Sequence, residues 1–172
     1  DGSYIRHTGN ITMKDDHEVT AYFVSEGSSQ KYIVASVSDE NAGSIVGATG
    51  TGLVAAGTPI SVGYTANPGY TFNGWYVNGA LDGVGSTWTG TADDHKVIVA
   101  KFTRNSYAVT IASNDESVGT VAGATSGTYE HGTVLTLVPN TASSKIHFRE
   151  WRDEGGLSLG SNVPFNVTVE AA

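Results

Sequence analysis

The chain has 172 residues, a formal net charge of −8 and no cysteine. Its nine Lys and Arg do not cluster, which excludes the concentrated positive face that a nucleic-acid partner needs. The absence of cysteine excludes a disulfide framework, a thiol nucleophile and cysteine-ligated zinc.

With 39% hydrophobic and 15% charged residues the composition supports a core. No run approaches the roughly 18 consecutive apolar residues that cross a bilayer, so no membrane insertion is expected of this segment. Glycine is abundant at 22 residues and proline scarce at 4. Together with many Val, Thr, Tyr and Ser, that balance suits short strands joined by tight turns.

Taken in order, residues 1–30 read as the C-terminal strands of a truncated repeat plus a linker. After Asp15-Asp16-His17-Glu18 comes Val19-Thr20-Ala21-Tyr22-Phe23, where Val19, Ala21 and Phe23 share one face. Such period-two alternation predicts a half-buried strand. Ser25-Glu26-Gly27-Ser28-Ser29-Gln30 is the polar linker.

Residues 31–104 read as a full β repeat. Tyr32-Ile33-Val34-Ala35-Ser36-Val37 is a strand, and Asp39-Glu40-Asn41-Ala42-Gly43 is turn chemistry. Ser44-Ile45-Val46-Gly47 and Gly57-Thr58-Pro59-Ile60-Ser61-Val62-Gly63-Tyr64 follow as strands, then the aromatic stretch Tyr70-Thr71-Phe72-Asn73-Gly74-Trp75. Tyr76-Val77-Asn78-Gly79 signals a hairpin, because Asn-Gly fits a two-residue primed turn. Thr87-Trp88-Thr89 and Val97 to Phe102 complete the repeat, the latter preceded by Asp93-Asp94-His95-Lys96.

Residues 105–172 read as a second full repeat after the brief joint Asn105-Ser106. Tyr107-Ala108-Val109-Thr110-Ile111 is aligned with Tyr32 to Ser36. Gly119 to Thr125 is aligned with Gly43 to Thr49, and His131 to Leu137 with Ala56 to Val62. Ile146-His147-Phe148-Arg149-Glu150-Trp151 echoes the stretch around Trp75, and Val167-Thr168-Val169-Glu170-Ala171 is aligned with Ile98 to Phe102. The period is about 75 residues, long enough for a small domain with its own modest core. No stretch carries a 3.6-residue apolar stripe, so little helix is expected. The fold expected is mainly β: tandem small β-rich domains, β-grasp-like or small sandwiches.

Gly69-Tyr70-Thr71-Phe72-Asn73-Gly74-Trp75, Ala100-Lys101-Phe102, Gly119-Thr120-Val121, Tyr129-Glu130-His131-Gly132-Thr133-Val134-Leu135-Thr136-Leu137 and the Phe148/Trp151 pair occur in one order across two copies. In that order the chain resembles the bacterial internalin-type B-repeat, in its divergent form, also called the Listeria–Bacteroides repeat. The resemblance covers residues 31–172 as two copies, with residues 1–24 as the tail of a third. It implies a module of extracellular, often multi-repeat bacterial surface proteins that acts as stalk or adhesion segment, and it carries over no catalytic residue. The second copy departs from the first where Ser143-Ser144-Lys145-Ile146 replaces Pro68-Gly69-Tyr70.

The aromatics are the first candidates for chemistry. Phe72 and Trp75, and Phe148 and Trp151, recur with each Phe three residues before its Trp. Three residues apart on an ideal strand means opposite faces, so a bulge or turn is expected near Gly74. These four are expected to plug the cores, where one large aromatic supplies much of the limited burial. Trp88, Tyr76 and Tyr70 lie beside glycine-rich turns and do not repeat. They are the candidates for a stacking platform for sugar rings.

The acidic groups Asp39-Glu40-Asn41 and Asn114-Asp115-Glu116 lack the spacing of a calcium loop and read as solvated turns. Asp15-Asp16-His17 and Asp93-Asp94-His95 also read as a shared turn, and the five histidines show no metal-ligand spacing. No phosphate-binding Gly-rich loop with Lys is present.

The reading is therefore a non-catalytic extracellular repeat module with no cofactor and no metal, serving as stalk, spacer or adhesion segment. The alternative is a carbohydrate-binding module using exposed aromatics. The partner expected is a host or cell-surface protein or glycan, and the module is expected to be a monomer within a larger multi-repeat chain.

Overall fold

The structure, a computed structural model, describes residues 29–171. The expected strand Val19–Phe23 and the group Asp15-Asp16-His17 lie outside the described residues. Among the described residues there are fifteen strands and no helix, so the protein is mainly β. The chain divides into one compact unit of residues 29–67 and 72–102 and another of residues 68–71 and 103–171.

The first unit holds β1 (Gln30–Val37), β2 (Gly43–Thr49), β3 (Gly52–Ala55), β4 (Pro59–Ala66), β5 (Tyr70–Val77), β6 (Ala80–Gly83), β7 (Thr87–Thr91) and β8 (Lys96–Arg104). They form a five-stranded sheet in the order β3-β1-β8-β5-β6 and a three-stranded sheet in the order β2-β4-β7. The last strand lies parallel to the first, with Ile33 opposite Lys96 and Val37 opposite Ala100. Alternation places Ile33, Ile98 and Ala100 of the larger sheet and Ile60, Val62 and Trp88 of the smaller in one buried cluster around Trp75. This is a small two-layer sandwich. Trp75 is its largest fully buried side chain, and a fully buried large apolar side chain contributes ~2–3 kcal/mol.

The aromatic stretch deviates from an ideal strand as its spacing predicts. Gly74 has φ +146°, and the pairing of β5 with β6 shifts register between Trp75 and Tyr76. The bulge brings Phe72 and Trp75 together, ring centroids 5.4 Å apart. Asn78 and Gly79 follow with φ +50° and +90°, the two positive values that a primed hairpin turn needs. Strands β3 and β6, each of four residues, go unread in the sequence because they are too short to show a period.

The second unit holds β9 (Ser106–Val109), β10 (Gly119–Gly123), β11 (Gly127–Glu130), β12 (Val134–Thr141), β13 (Trp151–Arg152), β14 (Ser158–Gly160) and β15 (Phe165–Thr168). They pair as β10-β12-β15, β11-β9 and β13-β14. Hydrogen bonding corrects two alignments made from sequence. Gln30 pairs with Ala55 across β1 and β3, and Ser106 with Glu130 across β9 and β11, so Lys31 rather than Tyr32 is the counterpart of Tyr107.

The second correction concerns the closing segment. Leu137 lies opposite Phe165 as Val62 lies opposite Trp88. Likewise Val169 exchanges backbone bonds with Gly132 and Thr133 as Ala92 does with Gly57 and Thr58. Residues 165–169 are thus the counterpart of β7 and Ala92, not of Ile98–Phe102. Sequence alone confused them because both are short alternating Val/Thr/Ala runs.

The consequence shows in the packing. Among the described residues, nine hydrophobic side chains are buried in the first unit and three (Leu135, Leu137 and Val169) in the second. Among the described residues of the second unit, none forms a strand where β8 stands in the first. The two segments that would flank it are correspondingly short of strand structure. Only Trp151–Arg152 of residues 146–152 pairs, and the strand β9 ends at Val109.

Candidate functional site

The recurring aromatics face inward. In the first unit Tyr64 stacks on Phe72 at 3.8 Å between centroids, and Phe102 meets both rings edge-on at 5.6 Å. The indole N–H of Trp75 donates to the carbonyl of Gly85 at 3.0 Å. In the second unit the indole of Trp151 donates to the carbonyl of Asn162, also at 3.0 Å. Trp151 lies between Phe148 and Phe165, at 4.9 and 5.7 Å. Trp75 is fully buried, whereas Phe72, Phe148 and Trp151 are half-buried.

Trp88 does not offer a platform to solvent. It is only 7% exposed and belongs to the core cluster, with its indole N–H bound to a carboxylate oxygen of Asp82 at 2.9 Å. Gly90, two residues along the same face, makes room for the ring: a Cβ there would lie 2.4 Å from Trp88 Cη2. The expectation of an exposed ring at this position is corrected by that pocket, which proximity to glycine-rich turns does not reveal. Tyr76 is half-buried at the far end of β5, and the Lys101 ammonium lies 3.9 Å from its ring centroid, a cation–π contact on that face. Tyr70 is half-buried at the start of β5.

The acidic turns serve the backbone. Asp39 accepts from the N–H and the side-chain amide of Asn41, and Asp115 accepts from the N–H and hydroxyl of Ser117. The Ser117 bonds hold the Asp115 carboxyl below its usual range. Lys96 does the same for Asp93 by hydrogen bond and charge. His95 Nδ1 accepts the N–H of Tyr32 at 2.9 Å, tying the turn before β8 to β1. Among the described residues no group of three or more His, Asp or Glu is placed to hold a metal ion.

A site that the sequence did not single out lies in the second unit. A cleft of about 570 Å³ opens between residues 112–114, strands β10 and β12, and residues 146–152. In the first unit the corresponding seat is filled by Phe102, which lies against Tyr64 and Phe72 and beside Gly43, where a Cβ would come 2.9 Å from the ring. The counterparts Pro139, Phe148 and Gly119 all line the cleft. Its rim is polar. Glu150 accepts from Arg152 at 2.6 and 3.0 Å and from the Ser158 hydroxyl at 2.7 Å, which lowers its pKa, Arg152 contributing most. The signal that would have found this site is the alignment of residues 165–169 with β7.

No curated protein and no solved structure matches the chain. A model of the divergent InlB B-repeat domain matches residues 33–106 and again 109–172. With both copies matched over most of its length, the chain belongs to the divergent InlB B-repeat family.

Proposed function

We propose that this chain is a non-catalytic repeat segment of a bacterial surface protein, lying outside the cell and working as a spacer that carries other domains. The observation that carries the reading is the use of the recurrent aromatics. Trp75 and Trp151 make the same indole–carbonyl bond, and each packs against the Phe three residues before it. Membership of a repeat family associated with bacterial surface proteins, and typically without catalysis, supports it. Small β-rich repeats need no large core. No helix among the described residues is long and apolar enough to cross a membrane.

A carbohydrate-binding module is the second reading, and Tyr76 with Lys101 is the observation that favours it. A glycan-library screen of the full chain separates the two. The spacer reading expects no saturable binding. Saturable binding that Tyr76→Ala abolishes would replace it with the carbohydrate reading and place the site on β5.

A further inference from the structure

We propose that the outer face of the first unit's five-stranded sheet is an interaction surface, and that its partner is the same face of a second copy of this chain. Residues directly opposite each other on paired strands point to the same side of a sheet, and alternate residues share a side. Ile33, Trp75, Ile98 and Ala100 point into the core. The other side therefore carries Tyr32 opposite Leu53, Val34 opposite Val97, Ser36 opposite Val99 and Tyr76 opposite Leu81. Leu53 and Leu81, on the two edge strands, are 48% and 57% exposed, and the tyrosines and valines between them are half-buried. An apolar band thus crosses all five strands on the side away from the core.

The second unit serves as an internal control. Ala108 pairs with Thr128 as Tyr32 pairs with Leu53, and Thr110 follows at the position of Val34. Arg152 pairs with Ser158 as Tyr76 pairs with Leu81, after the same shift of register beyond the tryptophan. All five of these side chains are exposed. Positions that are apolar in one copy are small or polar in the other. Thr shares the strand preference of Val, so forming the strands does not require the band.

Charge and shape select the partner. Val, Leu and Tyr on a sheet face suit a second sheet, which packs at about 10 Å. The chain carries a net charge of −8, so two copies repel on most approaches. On this face, among the described residues, the one charged side chain is Lys101, held 3.9 Å from the Tyr76 ring centroid. Asp39 and Glu40 follow β1, and Asp93 and Asp94 precede β8, so these carboxylates stand in turns beyond the strand ends. Here two acidic chains can meet with no carboxylate at the centre of the contact. A two-fold pairing sets the face against itself and closes at a dimer. Four strand spacings of about 4.8 Å and four residue steps of about 3.3 Å give a face of about 19 by 13 Å, well below the ~800 Å² per partner of a stable dimer. The association is therefore weak and reversible, which still departs from the expectation of a monomer.

The test is sedimentation equilibrium of the full chain at concentrations up to about 1 mM, paired with methyl NMR spectra over the same range. The expected result is a mass that rises toward two protomers and no further, and rises more at high salt, which screens the acidic turns. Methyl signals of Val34, Val97 and Val99 should move with concentration, and those of Val109 and Val121 in the second unit should not. The triple variant Val34→Thr, Leu53→Thr and Leu81→Ser installs the second unit's residues and should stay monomeric throughout. Unmoved methyl signals of Ile60 and Val62 show that its core is intact, and the wild-type shift map decides the matter independently of the variant. A chain that remains monomeric to that concentration, association that passes beyond the dimer, or a dimer that the triple variant leaves intact overturns the proposal. So does shielding of the Val34 and Val99 methyls from a soluble paramagnetic probe in the dilute monomer, because another part of the same chain would then cover the face.

Discussion

The indole N–H of Trp88 donates to the carboxylate of Asp82 at 2.9 Å, joining the buried face of β7 to the β5–β6 hairpin. Trp88→Ala empties part of the core cluster and should cost about 3–5 kcal/mol, the usual range for large-to-small changes at such sites. Asp82→Ala leaves the ring in place but its N–H without that acceptor, and should cost about 1 kcal/mol because Asp82 itself is exposed. Denaturant unfolding of the two variants gives both figures. Equal losses would mean that the carboxylate, not the ring, dominates.

Gly90 and Gly74 make a sharper contrast with Gly79. A Cβ at Gly90 meets Trp88 at 2.4 Å, and one at Gly74 meets Leu81 Cδ1 at 2.5 Å and the Gly83 carbonyl at 2.9 Å. Each Gly→Ala change there should cost about 1–3 kcal/mol by overpacking, with backbone strain added at Gly74. Gly79→Ala meets open space and carries only the penalty of its positive φ, about 1 kcal/mol. Thermal unfolding should rank Gly79→Ala mildest.

Asn78 combines two roles that substitution can separate. Its φ is +50°, its side-chain oxygen accepts the Val97 N–H at 2.8 Å, and its amide donates to the His95 carbonyl at 3.2 Å. Asn78→Gly keeps the turn and loses the two bonds, whereas Asn78→Ala loses both. The alanine variant should be the less stable by about 1 kcal/mol. Equal stabilities in chemical denaturation would show that the side-chain bonds carry the whole effect.

Glu150 sets a pH dependence in the second unit. Its folded pKa lies below the ordinary value of 4.5, first through the Arg152 hydrogen bonds and then through Ser158. A carboxylate lowered on folding contributes stability that is fully present above its unfolded pKa. That contribution is lost as pH falls through the folded value. Carbon-detected titration of the side chain should show the depressed midpoint, and Arg152→Ala should raise it toward 4.5. A midpoint unchanged by Arg152→Ala would show that the pair does not persist in solution.

Strands and turns whose chemistry is local were legible in the sequence. The Asn78-Gly79 hairpin follows from the φ values that these two residues tolerate, and the bulge at Gly74 from the odd spacing of Phe72 and Trp75. What was not legible depends on pairing partners. Val167-Thr168-Val169 alternates as well as Ile98-Val99-Ala100 does, and only the register of Phe165 against Leu137 tells them apart. For the same reason the burial of Trp88 was hidden, since it depends on Val62 across the ladder and on the room left at Gly90. The cleft went unseen because a gap is a relation between segments, not a property of any one of them.

The parallel pairing of β1 with β8 bears on how the first unit answers a pull. Tension applied at the start of β1 and the end of β8 draws the two neighbours along each other's length in opposite directions. The five residue pairs from Ile33–Lys96 to Val37–Ala100 are then loaded together rather than opened one after another. Resistance to stretching is thereby concentrated in one short seam, the part of the unit that must shear before its sandwich can come apart.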